Sequence, residues 1–199
     1  MRLDEIMQFK EEYAPSIIIP ARTTSLLTAR KKMGWGDTVQ GDFWCQNNNI
    51  DSLVGAPREV GGSFYCDHTD ITSLEGAPIK VGASFGCFFT KIRSLKGAPI
   101  KVGEYFWCHR TDITSLEGIG NHFKDGYIRR ELWIPDTMQS HLLGLLLIPE
   151  LKLVTACFNP NEKLEQVTEI INKHFKLDKD ILECQEELYV AGLKEYGRL

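Results

Sequence analysis

One phrase is written four times between Val39 and Gly120, and it restricts the possible folds more than any other part of the chain. Read from its first phenylalanine, the copies are FWCQNNNIDSLVGAPREV, FYCDHTDITSLEGAPIKV, FGCFFTKIRSLKGAPIKV and FWCHRTDITSLEGIGNHF. Phe43, Phe64, Phe85 and Phe106 are 21 residues apart, as are Cys45, Cys66, Cys87 and Cys108, and Ile50, Ile71, Ile92 and Ile113. A fixed period near twenty, with apolar residues in constant phase, is the mark of a solenoid. One copy cannot bury its own apolar edge, whereas stacked copies share a core.

Within a copy, the alternation of Phe64 and Cys66 sets both side chains on one side of a short strand. Neighbouring copies then pair as parallel, in-register strands about 4.8 Å apart. Asn48, Thr69, Thr90 and Thr111 follow, where a leucine-rich repeat has its turn-forming asparagine. A short polar side chain there satisfies backbone groups as the chain bends out of the strand. Ile71 and Leu74 fill the interior, Gly76-Ala77-Pro78 turns the corner, and Val81 returns the chain to the core. Glycine accepts the unusual dihedrals of such a corner, and proline has no amide hydrogen to leave unpaired. After Gly120 the phrase decays. Phe123 and Tyr127 keep the phase of Val81 and Phe85, so Gly126 to Arg130 reads as a last, atypical coil, with Pro135 as the exit.

The phrase S-L-x-G-A-P-x-x-V-G-x-x-F-x-C-x-x-T resembles the short leucine-rich-repeat-type coils of tailed-bacteriophage proteins, in which copies of "SLEGAP..VGG.F.C..N.L" precede a helical tail ending "DI.ECQEEL...GL". Asp180 to Leu188 is similar to that ending. The likeness covers the repeats and, more loosely, the last forty or so residues, and departs in having threonine at three of the four turn positions. It implies an architecture and carries over no catalytic residue. The expected fold is an α/β repeat: a short leucine-rich-repeat-like solenoid with a parallel β ladder, a helical N-terminal cap and a helical C-terminal region. The expected segments are 1–38 for the cap, 39–134 for the coils and 135–199 for the tail.

An apolar share of 43% and a charged share of 25% describe an ordinary soluble protein. The formal charge of −4 speaks against nucleic acid as a partner, since phosphate binders show a basic face. The longest apolar run, Leu142 to Ile148, is too short for a membrane span and is bounded by Pro149. Acidic residues at Asp4 and Glu5 do not suit a signal peptide, so a cytoplasmic protein is expected, in the host cytoplasm if phage-encoded. Four of the six cysteines fall at the repeat period, where side-by-side side chains are badly aimed for disulfides. Without C-x-x-C spacing they read as a buried apolar ladder rather than a metal site.

In the flanks, Leu3, Ile6, Met7 and Tyr13 suit a short helix ended by Pro15, and Ser16 to Pro20 reads as extended. A helix from Ser25 to Met33, stopped by Gly34, follows. This part should cover the open edge of the first coil. Gly34-Trp35-Gly36-Asp37 lacks the third glycine of a dinucleotide fingerprint, and no other cofactor motif occurs. Beyond the coils, Asp136 or Thr137 can cap a helix through Ile148, and Leu151 to Thr155 suits a strand or a partly buried loop. Helices are then expected from Asn159-Pro160-Asn161, with an inner stripe of Leu164, Val167, Ile170, Ile171 and His174, and from Asp178, with Ile181, Cys184, Gln185 and Leu188 inward. They should cap the far end of the stack.

The residues between the interior positions face out along the ladder and carry the functional reading. Trp44, Tyr65 and Trp107 share one column, with Gly86 leaving a notch, and Asp67, Phe88, Tyr105 and His109 lie beside them. Aromatic side chains give large contact area with little rotamer entropy to lose, so these seven residues are the expected protein-binding surface. The competing structural reading has the terminal segments folded over them. Asp70, Lys91 and Asp112 in one column, and Glu75, Lys96 and Glu117 in another, alternate in sign and should hold the register. The resemblance sharpens the binding reading toward a phage protein that engages and inhibits a host defence protein. An enzyme would need a site near Asp67, His68 and His109, unsupported by a nucleophile elbow, phosphate loop or metal motif. A structural or oligomerising component is the third reading, with the aromatic column buried in self-association.

Overall fold

Phenylalanines at one phase of a parallel ladder have only the interior to occupy, and each buried ring stabilises the fold by about 1.5–3 kcal/mol. The computed structural model describes residues 15–199 apart from 118, 157–159 and 178. In it Phe43, Phe64, Phe85 and Phe106 are wholly buried. The first three rings stack in parallel at 5.3 and 5.6 Å, and Phe106 tilts against Phe85 at 5.0 Å. Trp35 closes one end of this spine edge-on to Phe43, and Phe123 closes the other against Phe106.

The elements around the spine are short. In chain order they begin with β1 (Ile17–Ile18), α1 (Leu26–Met33), β2 (Thr38–Val39) and β3 (Phe43–Trp44). The repeats supply β4 (Glu59–Val60), β5 (Phe64–Tyr65), β6 (Lys80–Val81), β7 (Phe85–Gly86), β8 (Lys101–Val102) and β9 (Tyr105–Trp107). Then come α2 (Ile119–His122), β10 (Tyr127–Ile128), β11 (Glu131–Ile134), a 3-10 turn (Leu143–Leu147), β12 (Leu153–Ala156), α3 (Glu162–Lys176) and α4 (Ile181–Val190). They form an α/β fold with two parallel sheets: β1-β3-β5-β7-β9-β11-β12, and β10-β8-β6-β4-β2. The sequence reading foresaw the first ladder only. The second arises because Val60, Val81 and Val102 also fall in register, one repeat on the next.

Each corner is built by its own chemistry. Asn48, Thr69, Thr90 and Thr111 are buried, and each threonine hydroxyl donates to the carbonyl of the cysteine three residues back at 2.6–2.8 Å. At the return corner a Cβ on Gly82 would lie 1.9 Å from the Gly61 carbonyl oxygen, so neighbouring backbones exclude every side chain there. The cysteine ladder is wholly buried: the thiols of Cys45, Cys66, Cys87 and Cys108 donate to carbonyls of the next repeat at 3.2–3.5 Å and are not joined in disulfides. Burial pushes Cys45, Cys66 and Cys87 well above the usual thiol range, so they stay protonated.

Both ends are finished. At the N-terminal end β1 pairs with β3, and Trp35 Nε1 donates to the Gly55 carbonyl at 3.1 Å. Ser25 caps α1, and Gly34 ends it in the left-handed conformation. At the C-terminal end Asn172 of α3 acts as a substitute strand for β12. Val154 N–H donates to Asn172 Oδ1, and Asn172 Nδ2 donates back to the Val154 carbonyl, both at 2.8 Å. The inner stripe of α3 is buried as its spacing predicts, and wholly buried His174 meets Glu187 through Nε2 at 2.9 Å. The helix expected over residues 1–13 lies outside the described residues.

Four expectations need correction. Phe123 and Tyr127 do not take the places of Val81 and Phe85. Ile128 pairs with Val102 and Leu132 with Phe106, because the turn at α2 inserts five residues beyond the 21-residue period. The helix expected over 136–148 shrinks to the 3-10 turn, since residues 137–140 follow the preceding repeat: Gln139 N–H donates to the Thr114 carbonyl and Ser140 bridges Ser115. The last helix is capped by Asp180, whose side chain accepts from Glu183 N–H, rather than by Asp178, which lies outside the described residues. Of the charge columns, the first closes through Lys91–Asp70 at 2.7 Å and Arg93–Asp112 at 4.0 Å. Among the described residues the Glu75, Lys96 and Glu117 column forms no ion pair.

Replacing Asn172 by alanine should leave both polar groups of buried Val154 unsatisfied and destabilise the fold by about 1–3 kcal/mol. Urea unfolding of Asn172→Ala against wild type measures this, and an unchanged midpoint would mean the edge needs no substitute strand.

Candidate functional site: an aromatic face on the seven-stranded ladder

The pleat that turns the phenylalanines inward turns the next residue of each strand outward. Trp44, Tyr65, Gly86, Trp107 and Trp133 are successive register partners on the outer face. Trp44 is 39% exposed, and Tyr65, Trp107 and Trp133 are half-buried. Trp44 meets Tyr65 edge-on at 5.6 Å, and Tyr65 stacks on Trp107 at 6.1 Å although Gly86 separates them in the ladder. The expected notch is therefore filled. A Cβ on Gly86 would come within 2.9 Å of Tyr65 Cδ1, so the missing side chain is what lets the tyrosine ring lean across. Tyr105 stacks on the same indole at 5.7 Å, and the Arg130 guanidinium sits over Tyr105 at 5.8 Å.

The next outward column runs Gln46, Asp67, Phe88, His109. Phe88 and His109 stack at 4.8 Å with planes 10° apart, and His109 also contacts Trp133. Asp67 and His109 are only 6% and 7% exposed, so both are set in among the rings and add little open surface. Burial, opposed by the His68 hydrogen bond, raises the Asp67 carboxyl above the usual carboxylate range. Burial and then the neighbouring Arg110 push His109 below the ordinary histidine range.

Outside this column lies a strip of left-handed residues: Asn47, His68, Phe89 and Arg110, with φ of 56, 51, 51 and 54°. For phenylalanine this conformation costs about 1–2 kcal/mol. It projects each side chain into solvent, where His68 stacks on Phe89 at 4.5 Å and Arg110 sits over the same ring at 5.4 Å. Phe89 is 43% exposed.

The three residues of the enzyme reading separate. Asp67 Oδ2 and His68 Nδ1 are 3.2 Å apart, but His109 is two ladder steps from Asp67 with Phe88 between them. The groove that His68 lines is open and contains neither Asp67 nor His109. Among the described residues no cluster of histidine, cysteine, aspartate or glutamate is arranged to hold a metal ion. No described helix is long and apolar enough to cross a membrane.

Of the expected surface, Trp44, Tyr65, Phe88, Tyr105 and Trp107 are brought together as one patch. Trp133 and Phe89 were missed. Trp133 is hidden by the five inserted residues, which put it out of phase with the 21-residue period. Phe89 holds the same phase as His68 and Arg110, but an outward left-handed turn has no signature when glycine is absent. The α3 and α4 helices pack against β12, the 3-10 turn and each other. No protein-family model, no curated protein and no solved structure matches the chain.

Because the folded protein holds the Asp67 proton more tightly than the unfolded chain does, this side chain favours folding at pH below the unfolded carboxyl value. That contribution is lost as pH rises through the raised folded value. Asp67→Asn should therefore raise the melting temperature at pH 7, with the difference shrinking toward pH 3. Thermal unfolding across that range checks the sign, and a loss of stability at neutral pH would contradict it.

Proposed function

We propose that this chain is a protein-binding repeat module, a short leucine-rich-repeat-type solenoid of the tailed-bacteriophage kind, which engages and inhibits a host defence protein through its aromatic face. The observation that carries the reading is the row of Trp44, Tyr65, Trp107 and Trp133, in which Tyr65 meets Trp44 edge-on and stacks on Trp107 while Trp133 packs against His109, all before any partner arrives. A solvated sheet face gains nothing from collecting tryptophan and tyrosine, whereas interfaces concentrate their energy in such residues. Rigid rings lose little entropy on contact, so the face is organised for association in advance. The phage and host part of the reading rests on the resemblance of the repeated phrase and of Asp180 to Leu188.

Trp44 and Trp133 lie toward opposite ends of the row and can be changed without touching the phenylalanine spine. Immobilised wild-type protein should retain a bacterial protein from lysate that the Trp44→Ala/Trp133→Ala variant does not, with unchanged circular dichroism. Each ring should contribute about 2 kcal/mol or more to a purified pair. Retention of the same protein by the double variant, or its loss only on removal of residues 160–199, would move the interface off the ladder.

A further inference from the structure

Gln46 and Asp67 stand at the same phase of successive repeats, and the backbone ladder still joins them there, with Asn47 N–H donating to the Asp67 carbonyl at 3.1 Å. Their side chains therefore emerge about 4.8 Å apart. Gln46 Oε1 is buried and accepts no hydrogen bond among the described residues. Asp67, 6% exposed, is a carboxylate set among rings, with His68 as its side-chain partner. Trp44 and Tyr65 flank the pair in the neighbouring column. Phe88 is the next residue beyond Asp67, with His109 stacked on its far face. The site thus offers two acceptors, one of them anionic, one ladder step apart and walled by aromatic side chains, in a chain of net charge −4. A buried acceptor without a donor is costly, and a desolvated carboxylate is more so.

We propose that this step is an arginine-recognition subsite: a guanidinium from the partner enters between the rings and donates to both Gln46 Oε1 and Asp67. This rests on the reading of the aromatic face as the interface, and it names the partner's chemistry there. A guanidinium is planar, carries five donors in a fixed fork, is weakly hydrated and stacks on aromatic rings. It reaches two acceptors at ladder spacing simultaneously while its face stays on apolar surface. An ammonium is compact and strongly hydrated, and gives up more water to sit between rings. A partner carboxylate is repelled by Asp67.

The test is an NMR titration of the labelled full chain with N-acetyl-arginine amide and, separately, N-acetyl-lysine amide. Arginine amide should give saturable shifts at the Gln46 side-chain amide and the Asp67 carboxyl carbon, with lysine amide at least tenfold weaker. Asp67→Asn, which keeps the shape of the side chain, should weaken arginine binding at least tenfold, and Gln46→Leu should bring arginine down to the lysine level. No saturable shift, equal response to the two amides, or an unchanged response in Asp67→Asn would overturn the subsite. The wild-type comparison decides this even where a variant folds poorly. An arginine response that needs Asp67, found alongside capture indifferent to Trp44 and Trp133, would uphold the subsite and remove the broader reading. The reverse pattern would remove the subsite alone.

Discussion

Parallel strands in register repeat every side chain at a spacing of about 4.8 Å, close to the distance at which aromatic rings pack. Everything distinctive about this protein follows from that coincidence. On the inner side it stacks four phenylalanines into a spine and aims four thiols at the carbonyls of the next repeat. On the outer side the same spacing brings tryptophan, tyrosine and histidine rings into contact, including the Tyr65–Trp107 stack that Gly86 makes room for. The inner spine is the reason the outer rings are ordered, since both belong to the same short strands.

A stack of this kind has open ends, and the flanking sequence is spent on them. Trp35 and β1 meet the first repeat, while β12 continues the ladder past β11. Asn172 then ends it by offering one amide to the N–H and the carbonyl of a single residue, Val154. A side-chain amide has the same donor and acceptor as a backbone unit but no continuing chain. It therefore satisfies an edge without inviting a further strand.

Legibility in the sequence tracked the strength of the period. Where 21 residues separate like from like, the interior, the turn threonines and the outward column of Trp44, Tyr65 and Trp107 could be read directly. Where α2 lengthens one repeat, the same reasoning placed Phe123 and Tyr127 one element early and lost Trp133 from the face. The second ladder was missed because a lone valine per repeat gives no alternation to count. The 3-10 turn at Leu143–Leu147 looked helical because apolar content and a capping residue say nothing about a neighbouring repeat that claims the backbone. The filling of the Gly86 position leaves no trace in the sequence, since the ring that fills it comes from another repeat.

The most direct test of the central claim, that in-register stacking orders both faces, is a solution NOESY experiment on protein with selectively protonated aromatic rings. In-register stacking predicts cross-peaks linking Phe43 to Phe64, Phe64 to Phe85 and Phe85 to Phe106, together with a separate Tyr65–Trp107 contact across Gly86. Phenylalanine rings without mutual contacts, or a Tyr65 ring with no path to Trp107, would contradict it.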